Sequence, residues 1–253
     1  MTELADAAPP HPPFGSTDRR DAWWLGPAIT FLVLSGFVVY ATLRAFMNRF
    51  YEAGELLSPF YSPNLARWTP LPQWLSPALL ILWAPGGFRL TCYYYRKAYY
   101  RSFAGHPPGC AVSEGKRGYR GETAFPFILQ NLHRYLLYAA LFVLIFLWYD
   151  VWKALWPEGR FGISVGTLVL AVNTTLLSLY TFSCHSLRHL IGGNIDCFSC
   201  TASTRTRQKL WGRISFLNTN HMSFAWLSLF GVAFADFYVW MVASGRFVNW
   251  RVL

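Results

Sequence analysis

The run PAITFLVLSGFVVYATLRAFM, from Pro27 to Met47, carries a single charge, Arg44. As a helix rising about 1.5 Å per residue it crosses the roughly 30 Å hydrocarbon core of a bilayer. Four further stretches share this character: Trp74 to Tyr93, interrupted by Pro85, Gly86, Gly87 and Arg89; Phe125 to Trp152, with His133 and Arg134 near its start; Ile163 to His189; and Met222 to Ala243, with one acid, Asp236. An all-α integral membrane protein is expected, a bundle of five transmembrane helices. Composition agrees, because 54% of the chain is hydrophobic and only 13% is charged, about half the share of a soluble protein. The 21 Phe, 14 Tyr and 12 Trp exceed what one soluble core needs, and Trp and Tyr suit the two membrane interfaces. No internal repeat of the kind that builds transporters relates one half to the other.

Lysine and arginine near the span ends give the orientation. Residues 1 to 26 read as a polar tail and neither as a signal peptide nor as a span. With the loops 94 to 124 and 190 to 221, the tail places Arg19, Arg20, Arg96, Lys97, Arg101, Lys116, Arg117, Arg120, Arg205, Arg207, Lys209 and Arg213 on one side. The opposite side holds Arg49, Arg67, Lys153, Arg160, Arg246 and Arg251. The more basic side is expected to be cytoplasmic, with the amino terminus inside and the carboxyl terminus outside. The net charge of +10 then needs no nucleic acid.

On this topology Cys92, Cys110, Cys184, Cys197 and Cys200 all fall at or below the cytoplasmic ends of spans two and four, with His106, His133, His185, His189 and His221 in the same layer and His11 in the tail. Disulfides are not expected in that compartment, which leaves metal ligation, catalysis or packing. The densest stretch is TFSCHSLRHLIGGNIDCFSC. His185 and His189 share a helix face, and an imidazole in hydrocarbon needs a partner. A metal is one such partner; a backbone carbonyl or an interfacial water is the plainer one. Cysteines from Cys92, Cys184, Cys197 and Cys200 with histidines from His133, His185, His189 and His221 suit zinc or a Rieske-type [2Fe–2S] centre, and a histidine pair alone suits b haem. The CxH and CxxH spacing of soluble Rieske proteins is absent.

The in-membrane histidines, the segment LWGRISFLNTNHMSFAWLSLFGVAFADFYVWMVASG and the stretch CHSLRHLIGG resemble the membrane-anchor subunit of succinate dehydrogenase or fumarate reductase, respiratory complex II, and among these the actinobacterial single-anchor class. The resemblance covers about residues 25 to 245. It implies a multi-pass protein of the bacterial plasma membrane, a partner flavoprotein that oxidises succinate, a partner iron–sulfur subunit docked on the basic face, and electron delivery to a quinone. Most such anchors hold b haem, for which His133 with His185 or His189 would be axial ligands. The cysteines depart from that plan, and the actinobacterial class implies a membrane-embedded Rieske-type [2Fe–2S] centre instead.

A quinone needs an apolar slot with one or two polar groups at the head. The candidates are Tyr94, Tyr95, Arg96, Arg134, Tyr135, Arg188 and Trp211, each of which also fits an interfacial belt or an arginine reaching for lipid phosphate. Asp236 and Tyr238, deep in the fifth span, are candidates for a proton path; an acid there must pair, stay protonated or face water. From another class, a zinc-bearing membrane scaffold closed by Cys197, Cys200 and two histidines is the competing reading. A di-iron lipid enzyme is disfavoured because only one HxxxH, His185 to His189, is present.

Overall fold

The computed structural model describes residues 12–72, 74–114, 123–125 and 127–253. His11, Lys116, Arg117 and Arg120 lie outside the described residues. Four helices are long and apolar enough to cross a membrane: α1 (Leu25–Met47), α5 (His133–Ala154, preceded by a 3-10 turn over Phe127–Leu132), α6 (Val165–Phe182) and α9 (His221–Ala243). The chain is thus a helical, multi-pass membrane protein.

The expected second span is not one helix. It is built from α2 (Pro77–Ile81) and α3 (Trp83–Thr91), followed by α4 (Tyr93–Tyr99). Pro85 has no N–H to give the Ile81 carbonyl, so the hydrogen-bond ladder breaks where α2 ends. Beyond the break, Gly87 brings α3 close to α5, since a Cβ there would lie 3.1 Å from a Leu136 methyl.

The fourth span also ends early. α6 stops at Phe182 and the chain restarts as α7 (His185–Gly192). The region 190 to 221, expected as a loop, is largely the 17-residue helix α8 (Ala202–Asn218). Its start is fixed by a capping box in which Thr201 and Thr204 satisfy each other's backbone N–H groups.

Small and polar residues cement the bundle, as expected where lipid is as apolar as leucine. On α6, Thr167, Asn173, Thr174, Ser178 and Thr181 are buried, and the Trp148 indole of α5 donates to Ser178 at 3.1 Å. A cap of short strands, β1 (Glu52–Ala53) and β2 (Leu56–Leu57), and 3-10 turns covers the end of the bundle opposite the cysteines. There Asp236 of α9 is fully buried and accepts from Arg44 Nε (2.7 Å) and Nη2 (3.1 Å) of α1, from the Tyr40 hydroxyl (2.5 Å) and from Ser58 Oγ (2.5 Å). Of the three outcomes open to an intramembrane acid it takes pairing. Both oxygens are occupied, so the residue clamps the first and last spans together. Tyr238 donates to Asn249 at 3.1 Å and likewise serves the cap.

Candidate metal centre

Two helix junctions carry the centre, and they are built alike. α3 ends at Thr91 and α4 starts at Tyr93, with Cys92 extended between them (φ −63°, ψ 130°). Ser183 ends α6 and Cys184, equally extended (φ −68°, ψ 140°), caps α7. A helix–extended–helix junction turns the cysteine side chain out of the ladder and into the bundle; Cys92 and Cys184 are 3% and 2% exposed. Facing them are two histidines that each open a span, His133 of α5 and His221 of α9.

The four side chains meet as two Cys–His pairs. His133 Nε2 lies 3.1 Å from Cys184 Sγ, and His221 Nε2 lies 3.4 Å from Cys92 Sγ. At the other ring nitrogens, His133 Nδ1 is 2.9 Å from Thr91 Oγ1 and His221 Nδ1 is 2.7 Å from Ser183 Oγ. Each hydroxyl spends its proton elsewhere: Thr91 donates to the Gly87 carbonyl at 2.8 Å and Ser183 to the Tyr180 carbonyl at 3.0 Å. The network therefore assigns the proton of both imidazoles to Nδ1 and leaves the Nε2 lone pairs pointing at the thiols. A second partner that fixes the tautomer and aims the free nitrogen is the ordinary support of a metal-ligating histidine.

Aromatic rings wall the centre. His133 stacks on Phe88 with centroids 4.6 Å apart, and His221 stacks on Tyr180 at 5.1 Å. The buried Tyr180 hydroxyl lies beside Cys92. The Ser186 N–H donates to Cys184 Sγ at 3.4 Å. The two pairs border a cavity of about 460 Å³ whose mouth carries Tyr94, Arg96, Lys97, Gln130 and Asn131.

Of the other expected ligands, His185 is exposed but lines the same cavity as the four side chains, and His189, also exposed, has Arg134 at 3.5 Å. Cys197 and Cys200 are joined as a disulfide, against the expectation of none on this side, so neither offers a thiolate. Among the described residues no three His, Cys, Asp or Glu gather closely enough for a single metal ion. The donors come instead as two facing pairs.

The quinone candidates divide three ways. Arg134, Arg188 and Trp211 share a half-polar cavity with His185 and His189, and Arg188 lies over the Trp211 ring at 4.5 Å. Tyr94, an acceptor from the Trp226 indole, stands with Arg96 at the mouth of the Cys/His cavity; burial raises its hydroxyl above the usual tyrosine range, so it stays a neutral donor. Tyr95 is buried, and Tyr135 is 69% exposed. Sequence reasoning missed Thr91, Ser183 and Tyr180. The hydroxyl–cysteine pairs Thr91–Cys92 and Ser183–Cys184 were a usable signal, blurred by a third, Ser199–Cys200.

The family model for the actinobacterial succinate dehydrogenase subunit SdhC matches residues 25–245. The chain belongs to that family. It is therefore a subunit of an oxidoreductase complex, in which succinate oxidation falls to other subunits. A solved structure, the Mycobacterium smegmatis Sdh1 complex in the apo form, contains a chain 43% identical to this SdhC-family protein. The match covers 94% of each chain with a TM-score of 0.85. No curated protein matches the chain.

Proposed function

We propose that this succinate dehydrogenase anchor is also an electron-transfer subunit, in which Cys92, Cys184, His133 and His221 hold a Rieske-type [2Fe–2S] centre and pass electrons to quinone. The observation that carries the reading is the two facing Cys–His pairs, which bring two buried thiols and two Nε2 lone pairs to one cavity. A tetrahedral zinc ion needs its ligands around one point. A two-iron centre takes two thiolates on one iron and two imidazoles on the other, a set of two Cys and two His that the pairs supply between them. The buried Tyr180 hydroxyl is placed to donate to Cys92 once that residue is a thiolate. The zinc scaffold reading loses Cys197 and Cys200 to their disulfide. Haem b takes only the two imidazoles and would leave the buried Cys92 and Cys184 thiols without a role.

When bound, the centre supplies one-electron transfer, and histidine ligation raises its potential. The residues of the chain do the rest. Thr91 and Ser183 aim the imidazoles, while Phe88, Tyr180 and Leu137 exclude water.

The remaining readings rest on charge and on the relative. Five passes are proposed, with α2 and α3 together making the second. On the outer side Lys153 pairs with Glu55 at 3.0 Å and Arg67 pairs with Glu52, which sharpens the positive-inside asymmetry and supports a cytoplasmic amino terminus in the plasma membrane. The relative's place in a complex supports a flavoprotein and an iron–sulfur subunit as partners, on the basic face.

Electron paramagnetic resonance of the dithionite-reduced complex, purified through this chain and paired with an optical spectrum, tests the reading. A rhombic Rieske-like signal without a haem α band is expected. A haem band, or zinc with neither signal, overturns it.

A further inference from the structure

The half-polar cavity that Arg134 of α5 shares with His185, Arg188 and His189 of α7 and Trp211 of α8 has a volume of about 570 Å³. It is lined by two arginines and no acid. Among the described residues no carboxylate pairs with either guanidinium. A Cβ at Gly192 would overlap the Trp211 indole, so the glycine lets α8 lie against α7 and makes the indole a wall of the cavity. Arg188 lies over that indole at 4.5 Å, and its Nε donates to Ser215 Oγ at 2.8 Å. Its terminal nitrogens make no hydrogen bond among the described residues. The carbonyls at the end of α7 would repel an anion, but Arg207 takes them up, donating to the Ile191 carbonyl at 2.7 Å and the Gly193 carbonyl at 3.2 Å.

We infer that this cavity binds the phosphodiester headgroup of an anionic phospholipid, with Arg134 and Arg188 donating to its oxygens. Arginine is suited to phosphate oxygens, and basic pockets between spans at the membrane surface take such headgroups. Depth supports a lipid. Arg134 stands in the first turn of α5 and α6 ends at Phe182, so the cavity lies where two spans leave the hydrocarbon. Tyr138, Phe142 and Ile145 follow Arg134 at helical spacing on one face of α5 and are 47%, 59% and 66% exposed. Acyl chains can lie along that strip, whereas a free phosphate or an acidic loop of a partner subunit has nothing to place there. His185 lines both this cavity and the one bordered by the Cys/His pairs, so the headgroup sits beside the proposed centre. Lipid binding here is independent of the electron-transfer reading, because the cavity needs no metal.

Native mass spectrometry of the delipidated, detergent-purified complex tests the site, with phosphatidylglycerol and phosphatidylcholine titrated separately. One saturable phosphatidylglycerol is expected to bind before any phosphatidylcholine does. Arg134→Gln and Arg188→Gln are each expected to weaken it about tenfold, the scale of one lost hydrogen bond to a charged group. Arg213→Gln, exposed on α8 and outside the cavity, is expected to change nothing. Succinate-dependent dye reduction counts the assembled complex in each preparation. The wild-type complex gives a second test that needs no variant: phosphatidylglycerol with a diazirine on its acyl chain should label the peptide spanning 134–146, and unlabelled phosphatidylglycerol should compete. Equal affinity for the two lipids, unchanged binding in both arginine variants, or labelling only elsewhere overturns the site. Competition by inorganic phosphate as effective as that by phosphatidylglycerol would make a free anion the ligand and overturn the lipid. A cavity covered by a partner subunit would show no labelling of that peptide in the assembled complex, which also overturns it.

Discussion

His133 and Cys184 approach to 3.1 Å although 51 positions separate them, and each is held there from behind, His133 by Thr91 and Cys184 by the Ser186 amide. With His221 and Cys92 in the same relation, the proposed ligand set differs from the one the densest sequence motif suggested. His133→Ala and His221→Ala are expected to abolish the rhombic signal and quinone reduction, whereas His185→Ala and His189→Ala keep the signal. Spectra of the four variants, normalised to assembled complex, decide the point.

The hydroxyls behind the imidazoles should matter almost as much as the ligands. Thr91→Val and Ser183→Ala remove the acceptors for Nδ1–H and free the tautomer. Losses of about 10- to 100-fold in centre occupancy or turnover are typical when such partners are removed. Iron per complex and a redox titration of the signal measure this; unchanged iron and midpoint in both variants would refute the role.

Cys197 and Cys200 should be dispensable for iron. Their sulfurs are bonded to each other, between α7 and α8 and away from the two Cys–His pairs. The Cys197→Ser and Cys200→Ser variants are expected to keep wild-type iron content and signal, while Cys92→Ser and Cys184→Ser lose the rhombic signal. Iron loss in the first two variants would restore the CxxC as a ligand pair.

Much of this was legible in the sequence because a bilayer permits few folds. The apolar runs predicted α1 and α9 to within a few residues, and the end of α5, whose first turns from Phe127 are 3-10 before the α-helix starts at His133. What the sequence hid was convergence. Cys92, His133, Cys184 and His221 come from four separate junctions, so no local spacing announces them, whereas TFSCHSLRHL is dense and contributes only Cys184 to the pairs. The break after Ile81 was foreshadowed by Pro85, but whether it kinks or ends a helix depends on packing against α5. Helix α8 was misread as a loop because its arginines and polar residues carry no apolar stripe.

Asp236 supplies the last prediction. Asp236→Asn leaves Arg44 buried without its counter-charge, and breaking one partner of a buried pair costs roughly 3 to 5 kcal/mol. The expected result is less assembled complex and a lower melting temperature, with turnover per assembled complex retained, since the clamp lies at the end of the bundle away from the Cys/His pairs. Replacing both partners, as Arg44→Met with Asp236→Leu, removes the uncompensated charge and should recover much of the stability lost in Asp236→Asn, because apolar groups of similar volume often match a buried ion pair. Differential scanning calorimetry alongside succinate–quinone turnover separates the two roles: a stable Asp236→Asn complex with impaired turnover would return the residue to the proton path.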